Sequence, residues 1–232
     1  MLSFEDGKAG RFAYHFDRNE IHIISGDKDT NMRVIAGSAG GIPLRFSSTE
    51  LRPTMDLVRG AIFSALGDLV IGARVLDLFA GSGAYGIEAL SRGAAEAVFV
   101  DNHRKSIEAI RLNLARAKLN GKVIREDVFR FLQRCDAPFR LVFADPPYAK
   151  RVEDRNFADE LLDSAAVVAA VQPGGVLVLE RSPVKGETVS GFWEVTRQKK
   201  YWATEVLFCV HKKLRASDGA ARVSSPKSSP DC

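Results

Sequence analysis

Residues 74–101 read RVLDLFAGSGAYGIEALSRGAAEAVFVD, and this stretch decides the fold. The run Arg74–Phe79 (RVLDLF) is short and almost wholly apolar, the composition of a strand covered on both faces. Gly81 and Gly83 then turn the chain, a helical pattern covers Ala84–Arg92, and Gly93 sits where a helix C-terminal cap belongs. A second apolar strand, Ala97–Asp101 (AVFVD), completes a strand–helix–strand unit. Strands of this kind, joined through a helix, belong to a parallel sheet with helices on both sides.

Downstream the alternation continues. A helix is predicted over His103–Asn120, closed by Gly121, then a strand at Lys122–Arg125 (KVIR) and a helix over Val128–Arg134. Arg140–Asp145 (RLVFAD) is a fourth strand, roughly Asp154–Ala170 a helix, QPGG at 172–175 a turn, and Val176–Glu180 (VLVLE) a fifth strand. The stretch GFWEVTRQKKYWATEVLFCVHKK, residues 191–213, differs: two strands with almost nothing between them make an antiparallel hairpin.

Upstream, RPTMDLVRGAIFSALG (52–67) starts a helix with Thr54 as N-cap, an apolar face of Met55, Val58, Ile62 and Leu66, and Gly67 as the stop. MRVIAGSAGGIPLRF (32–46) reads as two short strands around a glycine-rich connection. RFAYHF (11–16) and EIHIISG (20–26) form short strands before a GDKDTN turn or linker. The expected architecture is α/β: a Rossmann-like, seven-stranded, mostly parallel sheet of five parallel strands plus a C-terminal antiparallel hairpin. Helices cover both faces, and a small N-terminal β-hairpin and helix precede the core. Residues 1–31 are read as an N-terminal extension, 32–211 as one domain (32–72 the hairpin and helix, 73–211 the core) and 212–232 as a flexible tail.

The bulk numbers narrow the class. With 232 residues, 46% hydrophobic and 27% charged, the chain can bury a sizeable core, and a disordered or fibrous protein is excluded. No apolar run approaches the ~20 residues of a membrane span, and MLSFEDGKAGR has no signal-peptide core. Cys135, Cys209 and Cys232 are too few and too scattered for a disulfide framework or a metal site, so a reducing cytoplasm and no metal are expected. The net charge is only +4, but it is unevenly spread. Residues 102–134 carry nine Lys and Arg against three acids, and 195–215 carry six against Glu205 alone. Such surpluses suit either a solvated surface or a nucleic-acid partner.

Two loops carry the chemistry. Gly81, Gly83 and Gly86 satisfy G-x-G-x-x-G, the generic fingerprint of a nucleotide loop at the switch point of an α/β sheet. In a pyrophosphate site the first glycine follows the strand almost directly, whereas here Asp77 stands four residues before Gly81. Asp101 ends the second strand, where an acid can hold ribose hydroxyls, and Asp127 follows the third. Three acids along one sheet edge favour an adenosine-containing, positively charged cofactor: S-adenosylmethionine fits better than NAD.

The second loop is Asp145-Pro146-Pro147-Tyr148, directly after the buried run LVFA. The prolines lack N–H donors and stiffen the strand exit, so carbonyl and carboxylate acceptors point out without competing donors. Acceptors aimed at the hydrogens of an exocyclic base amine orient it and expose its lone pair, and Tyr148 offers a face on which an extruded base can stack. No cysteine stands near either loop, which argues against covalent C5-methylation of a pyrimidine.

Residues 32–211 resemble the bacterial 16S ribosomal RNA guanine-N2 methyltransferases of the RsmD type, within the class I S-adenosylmethionine-dependent superfamily. The matching stretches are MRVIAG (32–37), RPTMDLVRGAIFSALG (52–67), VLDLFAGSGAYGIEALSRGA (75–94), VFADPPY (142–148) and, less closely, QKKYWATEVLF (198–208). The resemblance implies methyl transfer to guanine N2 in 16S rRNA, at the guanine-966 type of site, on naked RNA or the 30S subunit, by a monomer. It implies that Asp77, Phe79, Gly81, Ser82, Gly83, Asp101, Asn102, Asp127 and Val128 bind the cofactor, and that Asp145, Pro146, Pro147 and Tyr148 hold the target amine. Arg33, Arg52, Thr54, Arg59, Lys199 and Lys200 would contact RNA. Family members carry a glycine and an acid after the tyrosine corresponding to Tyr201, where this chain has Trp202 and Ala203. The competing readings are an N6-adenine, protein-glutamine or other planar-amine methyltransferase, an NAD-linked oxidoreductase, and an RNA-binding module that has kept an inactive fold.

Overall fold

The computed structural model describes residues 13–17, 20–25, 32–45, 55–135, 137–149, 151, 154–184, 188 and 190–212. Strands β1 (Ala13–Asp17) and β2 (Glu20–Ser25) pair antiparallel as a two-stranded sheet of their own. The predicted linker at 26–31, the cap at Thr54 and the tail from residue 213 onward lie outside the described residues.

The second sheet has seven strands: β3 (Arg74–Leu78), β4 (Glu96–Asp101), β5 (Lys122–Arg125), β6 (Phe139–Ala144), β7 (Val171–Arg181), β8 (Trp193–Tyr201) and β9 (Thr204–His211). They lie in the order β5-β4-β3-β6-β7-β9-β8. The first five run parallel, and β9 lies antiparallel between β7 and β8. The Rossmann-like reading holds, with one refinement: the C-terminal hairpin folds back so that its second strand, not its first, joins the parallel block. Strand order reverses on either side of β3, and the carboxyl ends of β3 and β6 therefore flank the crevice where such sheets bind ligands.

Alternation along each strand divides the core into two layers. Val75, Phe99, Phe143 and Val178 face the side covered by α1 (Met55–Leu66), α2 (Ala84–Ser91), α3 (Arg104–Ala117) and the segment 32–44. Leu76, Leu78, Val142 and Leu179 face α4 (Val128–Gln133), α5 (Phe157–Leu162) and α6 (Ala165–Ala170). Helix α2 sits unusually close to the sheet: a Cβ on Gly86 would meet the Phe99 ring at 2.3 Å. The third glycine of the fingerprint thus serves helix–strand packing.

Several predicted boundaries shift for local reasons. The helix expected over 154–170 divides into α5 and α6, because the Ser164 hydroxyl accepts the Val167 N–H and starts a new helix. Helix α3 ends at Ala117, with Lys118 in the left-handed conformation, and Gly121 instead packs close to the Phe99 ring. The QPGG turn lies inside β7 as a bulge, with Val171 pairing Phe139 and Val176 pairing Leu141. Helix α1 continues as a 3-10 turn over Gly67–Val70. The two short strands expected within 32–46 reduce to one bridge between Arg33 and Pro43.

That segment is anchored by side chains invisible to pattern reading. Glu88, fully buried on α2, accepts the N–H groups of Ile35 (2.7 Å) and Ala36 (3.1 Å) and pairs with Arg92 Nε at 2.6 Å. Arg59, only 2% exposed, donates to the Arg33 carbonyl and to Asp56, and its Nε lies 3.8 Å from Glu88. A second buried pair, Arg181–Glu205 at 2.8 Å, ties β7 to β9.

The β8–β9 turn carries strain. Tyr201 pairs with Thr204, leaving Trp202 and Ala203 as a two-residue connection in which Trp202 has φ 47° and is 57% exposed. A left-handed residue with a side chain costs about 1–2 kcal/mol, while glycine loses roughly 0.5–1 kcal/mol through unfolded-state freedom. Trp202→Gly is therefore expected to stabilise the protein by about 0.5–1 kcal/mol, seen as a higher midpoint in urea with unchanged slope. A lower midpoint would mean that the indole packs in solution.

Candidate active site

A cleft of about 670 Å³ opens at the carboxyl ends of the parallel strands. Its walls come from α1, the β3–α2 connection, the ends of β4, β6 and β7, the start of α4 and α5, and the start of β9. Two halves are distinguished by chemistry.

On one side lie Phe79, Asp101, Asn102, His103, Asp127, Val128, Arg155 and Phe157. Phe79 has φ 54°, a rare conformation for a phenylalanine, of the kind that clusters at ligand sites. Its ring meets Phe157 and Phe129, and the Arg155 guanidinium lies 4.6 Å over Phe129 and 4.7 Å over Phe157. Asp101 accepts Gly81 N–H (2.9 Å) and His103 N–H (2.8 Å) on separate carboxylate oxygens. Asp127 caps α4 by accepting the Arg130 N–H at 3.0 Å while its edge faces the cleft.

On the other side lie Asp145, Pro146, Pro147, Tyr148, Tyr85, Glu180 and Thr204. Ala144 is in register with Leu179, so Asp145 and Glu180 follow side by side at the ends of neighbouring parallel strands. Both then face the same side as Phe143, against whose ring Tyr85 stacks at 5.1 Å. The Tyr85 hydroxyl donates to Glu180, and burial together with the nearby Glu180 and Asp145 charges holds its proton well above the usual tyrosine range. The Tyr148 hydroxyl is 2.9 Å from Thr204 Oγ1, which fastens the loop after β6 to the start of β9.

The three fingerprint glycines direct their N–H groups to protein acceptors. Gly81 donates to Asp101, Gly83 to the Ala80 carbonyl at 2.6 Å, and Gly86 to Asp77 at 2.9 Å. Asp77, Gly81, Ser82 and Gly83 shape the loop from beneath rather than line the cleft. Ser82 contacts the Met32 sulfur and its carbonyl accepts from Asn113. Asp77 is buried; desolvation, and then the neighbouring Asp101 and Asp145, raise its carboxyl to about 8 against an unfolded value of 3.8. The native state thus holds a proton that the unfolded chain loses. Stability from this group is fully present below about pH 4 and fades as pH rises towards 8. Asp77→Asn keeps an acceptor for Gly86 and removes the titration. Relative to wild type, the variant is expected to gain up to about 1.4 kcal/mol per pH unit between pH 5 and 7, measured by urea unfolding across pH. A constant offset would contradict the buried proton.

Among the residues expected to meet RNA, Arg59 lines the cleft but is buried in the Asp56–Glu88 network, so it is no exposed contact. Arg33 is half-buried and its carbonyl serves Arg59. Lys199 and Lys200 are exposed on β8, away from the cleft lining. Arg52 and Thr54 lie outside the described residues. Tyr85, Glu180, Thr204, Arg155 and Phe157 escape the sequence reading. The acid rule applied to β3, β4 and β5 would have reached Glu180, which closes VLVLE in the same way.

Burial pushes the Cys209 thiol up to about 12, and among the described residues no group of three or more His, Cys, Asp or Glu is placed to hold a metal. Among the described residues, no helix is long and apolar enough to cross a membrane.

Comparison with known proteins connects this cleft to a family. A family model described as "Conserved hypothetical protein 95" matches residues 32–210. The Bacillus subtilis protein named "Putative rRNA methyltransferase YlbH" is 38% identical over 78% of this chain and 99% of its own length. The Escherichia coli K12 "Ribosomal RNA small subunit methyltransferase D" is 33% identical over 72% of this chain and 84% of its own. The solved structure described as "Putative methyltransferase yhhF from Escherichia coli" superposes with a TM-score of 0.67 at 30% identity, covering 78% of this chain and 98% of that one. The match runs through both the glycine loop and the Asp145–Tyr148 strand exit, and the chain belongs to the Conserved hypothetical protein 95 family, that of the RsmD-type proteins.

Proposed function

We propose that this protein is an S-adenosylmethionine-dependent methyltransferase that modifies the exocyclic N2 amine of a guanine in small-subunit rRNA. The observation that carries the reading is the divided cleft: an aromatic and acidic half beside a half built on Asp145-Pro146-Pro147-Tyr148. The relatives named for rRNA methylation point the same way.

The residues fit the cofactor on this structure's own terms. A cleft of about 670 Å³ suits a nucleoside-sized ligand. Asp101 ends a strand with its carboxylate at the cleft, where ribose hydroxyls can donate to its remaining lone pairs, and Phe79 and Phe157 supply apolar surface beside it. The loop N–H groups of all three fingerprint glycines are engaged by protein acceptors, which disfavours a pyrophosphate and with it the NAD reading. Asp101, Asp127, Asp145 and Glu180 give the cleft an acidic lining that suits a cationic ligand. When bound, S-adenosylmethionine supplies an electrophilic methyl group.

The protein's share of the work is orientation. Asp145 and the carbonyls of the proline-stiffened loop accept the amine hydrogens, and Tyr148, braced by Thr204, gives the base a surface to lie against. Lys199, exposed on β8 of the hairpin whose Thr204 lines the cleft, offers a positive charge to the RNA backbone. Calorimetry with S-adenosylhomocysteine and with NADH tests the cofactor. Saturable binding of the first and none of the second is expected; the reverse would overturn the reading.

A further inference from the structure

On the Asp145 side of the cleft the proposed function gives Glu180 no specific contact with the base. Glu180 is 8% exposed, lines the cleft, and follows Leu179, the β7 partner of the Ala144 that precedes Asp145. Neighbouring strands are separated by about 4.8 Å, and the exocyclic amine and the adjacent ring nitrogen along a purine edge are spaced by only a few ångströms. A base whose exocyclic amine is held at Asp145 therefore brings the next position of its Watson–Crick edge towards Glu180.

Bases differ there in a way a carboxylate detects. Guanine presents N1–H, a donor, next to its N2 amine. Adenine and cytosine present a ring-nitrogen lone pair next to theirs. An ionised carboxylate accepts hydrogen bonds and cannot donate one. Tyr85 donates to one Glu180 oxygen from a buried position, which keeps the carboxylate oriented. Opposite a lone pair, that carboxylate is repelled and gains no hydrogen bond from the base, the arrangement by which polar sites reject near-isosteres by large factors.

We propose that Glu180 is the base-reading residue of the cleft: its carboxylate, positioned by Tyr85 beside Asp145, accepts N1–H of the target guanine and excludes bases with a ring-nitrogen lone pair at that place. This rests on the reading of the cleft as a guanine-N2 methyltransferase site and adds what selects the base.

The test uses 2-aminopurine, which keeps the N2 amine but carries a lone pair on N1. The acceptor nucleotide is first mapped in small-subunit RNA methylated by the wild-type protein. The RNA is then rebuilt with guanine or 2-aminopurine at that position, and kcat/KM is measured for both. Wild type is expected to prefer guanine by at least about 100-fold. In Glu180→Gln the side-chain amide can donate to the N1 lone pair, and the guanine preference is expected to fall by at least about tenfold. Binding of each RNA with S-adenosylhomocysteine present should move in the same direction. A merely structural role for Glu180 would lower both rates together and leave their ratio unchanged, which would overturn the inference. So would equal use of the two bases by wild type, a result independent of how the variant folds. Failure to form any N2-methylguanine would instead overturn the underlying function.

Discussion

Asp145→Ala is expected to lower methyl transfer by about 10²–10⁴-fold while S-adenosylhomocysteine binding changes by no more than a few-fold. The magnitude follows from removing an oriented polar group aimed at a reacting centre, which costs about 10²–10³ by itself, plus the loss of near-attack positioning. The separation of the two effects follows from place. Asp145 stands on the Tyr148–Glu180 side of the cleft, whereas Asp101, Asp127, Phe79 and Phe157 form the other. It follows the last residue of β6, is only partly buried, and is followed by two prolines that hold the loop whatever residue precedes them. The fold should therefore survive. Single-turnover transfer and calorimetry on the same preparation read the two quantities separately, and a variant with wild-type turnover would refute the role given to Asp145.

Glu88→Ala acts on the opposite side of the account, through stability. One fully buried carboxylate serves two backbone N–H groups and two arginines, joining α2, α1 and the segment 33–36. Its removal leaves Arg59 in the core with less compensation and strands the Ile35 and Ala36 donors. Breaking a buried pair from one side costs about 3–5 kcal/mol, which for a domain of this size lowers Tm by roughly 10 °C or more. Glu96→Ala, which removes a half-exposed partner of Arg74, provides the contrast: under about 1 kcal/mol is expected. Equal effects from the two would show that the Glu88 network is not what anchors the segment before α1.

These two residues also show what can be read from a sequence and what cannot. The place of Asp145 at the cleft is legible because its neighbours are informative: an apolar strand, then an acid, then two residues that remove N–H donors. The parallel strands were legible for a related reason, since burial on both faces leaves no polar alternation to confuse the pattern. Glu88 was not. In IEALS it looks like an ordinary polar helix position, and its partners lie 52 and 53 residues away along the chain. The family resemblance implies an RNA contact at Arg59; the pairing with Asp56 and Glu88 that buries it is set by tertiary structure. Asp77 was assigned to the cofactor from its strand position, yet its side chain points to Gly86 and holds the loop. The glycine motif thus has structural duties that the fingerprint does not state. Its third glycine is needed for contact with Phe99, and its N–H groups serve internal acceptors. Trp202 is the converse case, a departure from the family pattern whose cost appears only in a backbone angle.

The central claim is methyl transfer to guanine N2 in small-subunit rRNA, and it is tested most directly by mapping N2-methylguanine in that RNA from a strain lacking this protein. The account predicts that one N2-methylguanine disappears and returns when the wild-type gene, but not the Asp145→Ala variant, is restored. An unchanged N2-methylguanine profile would contradict it.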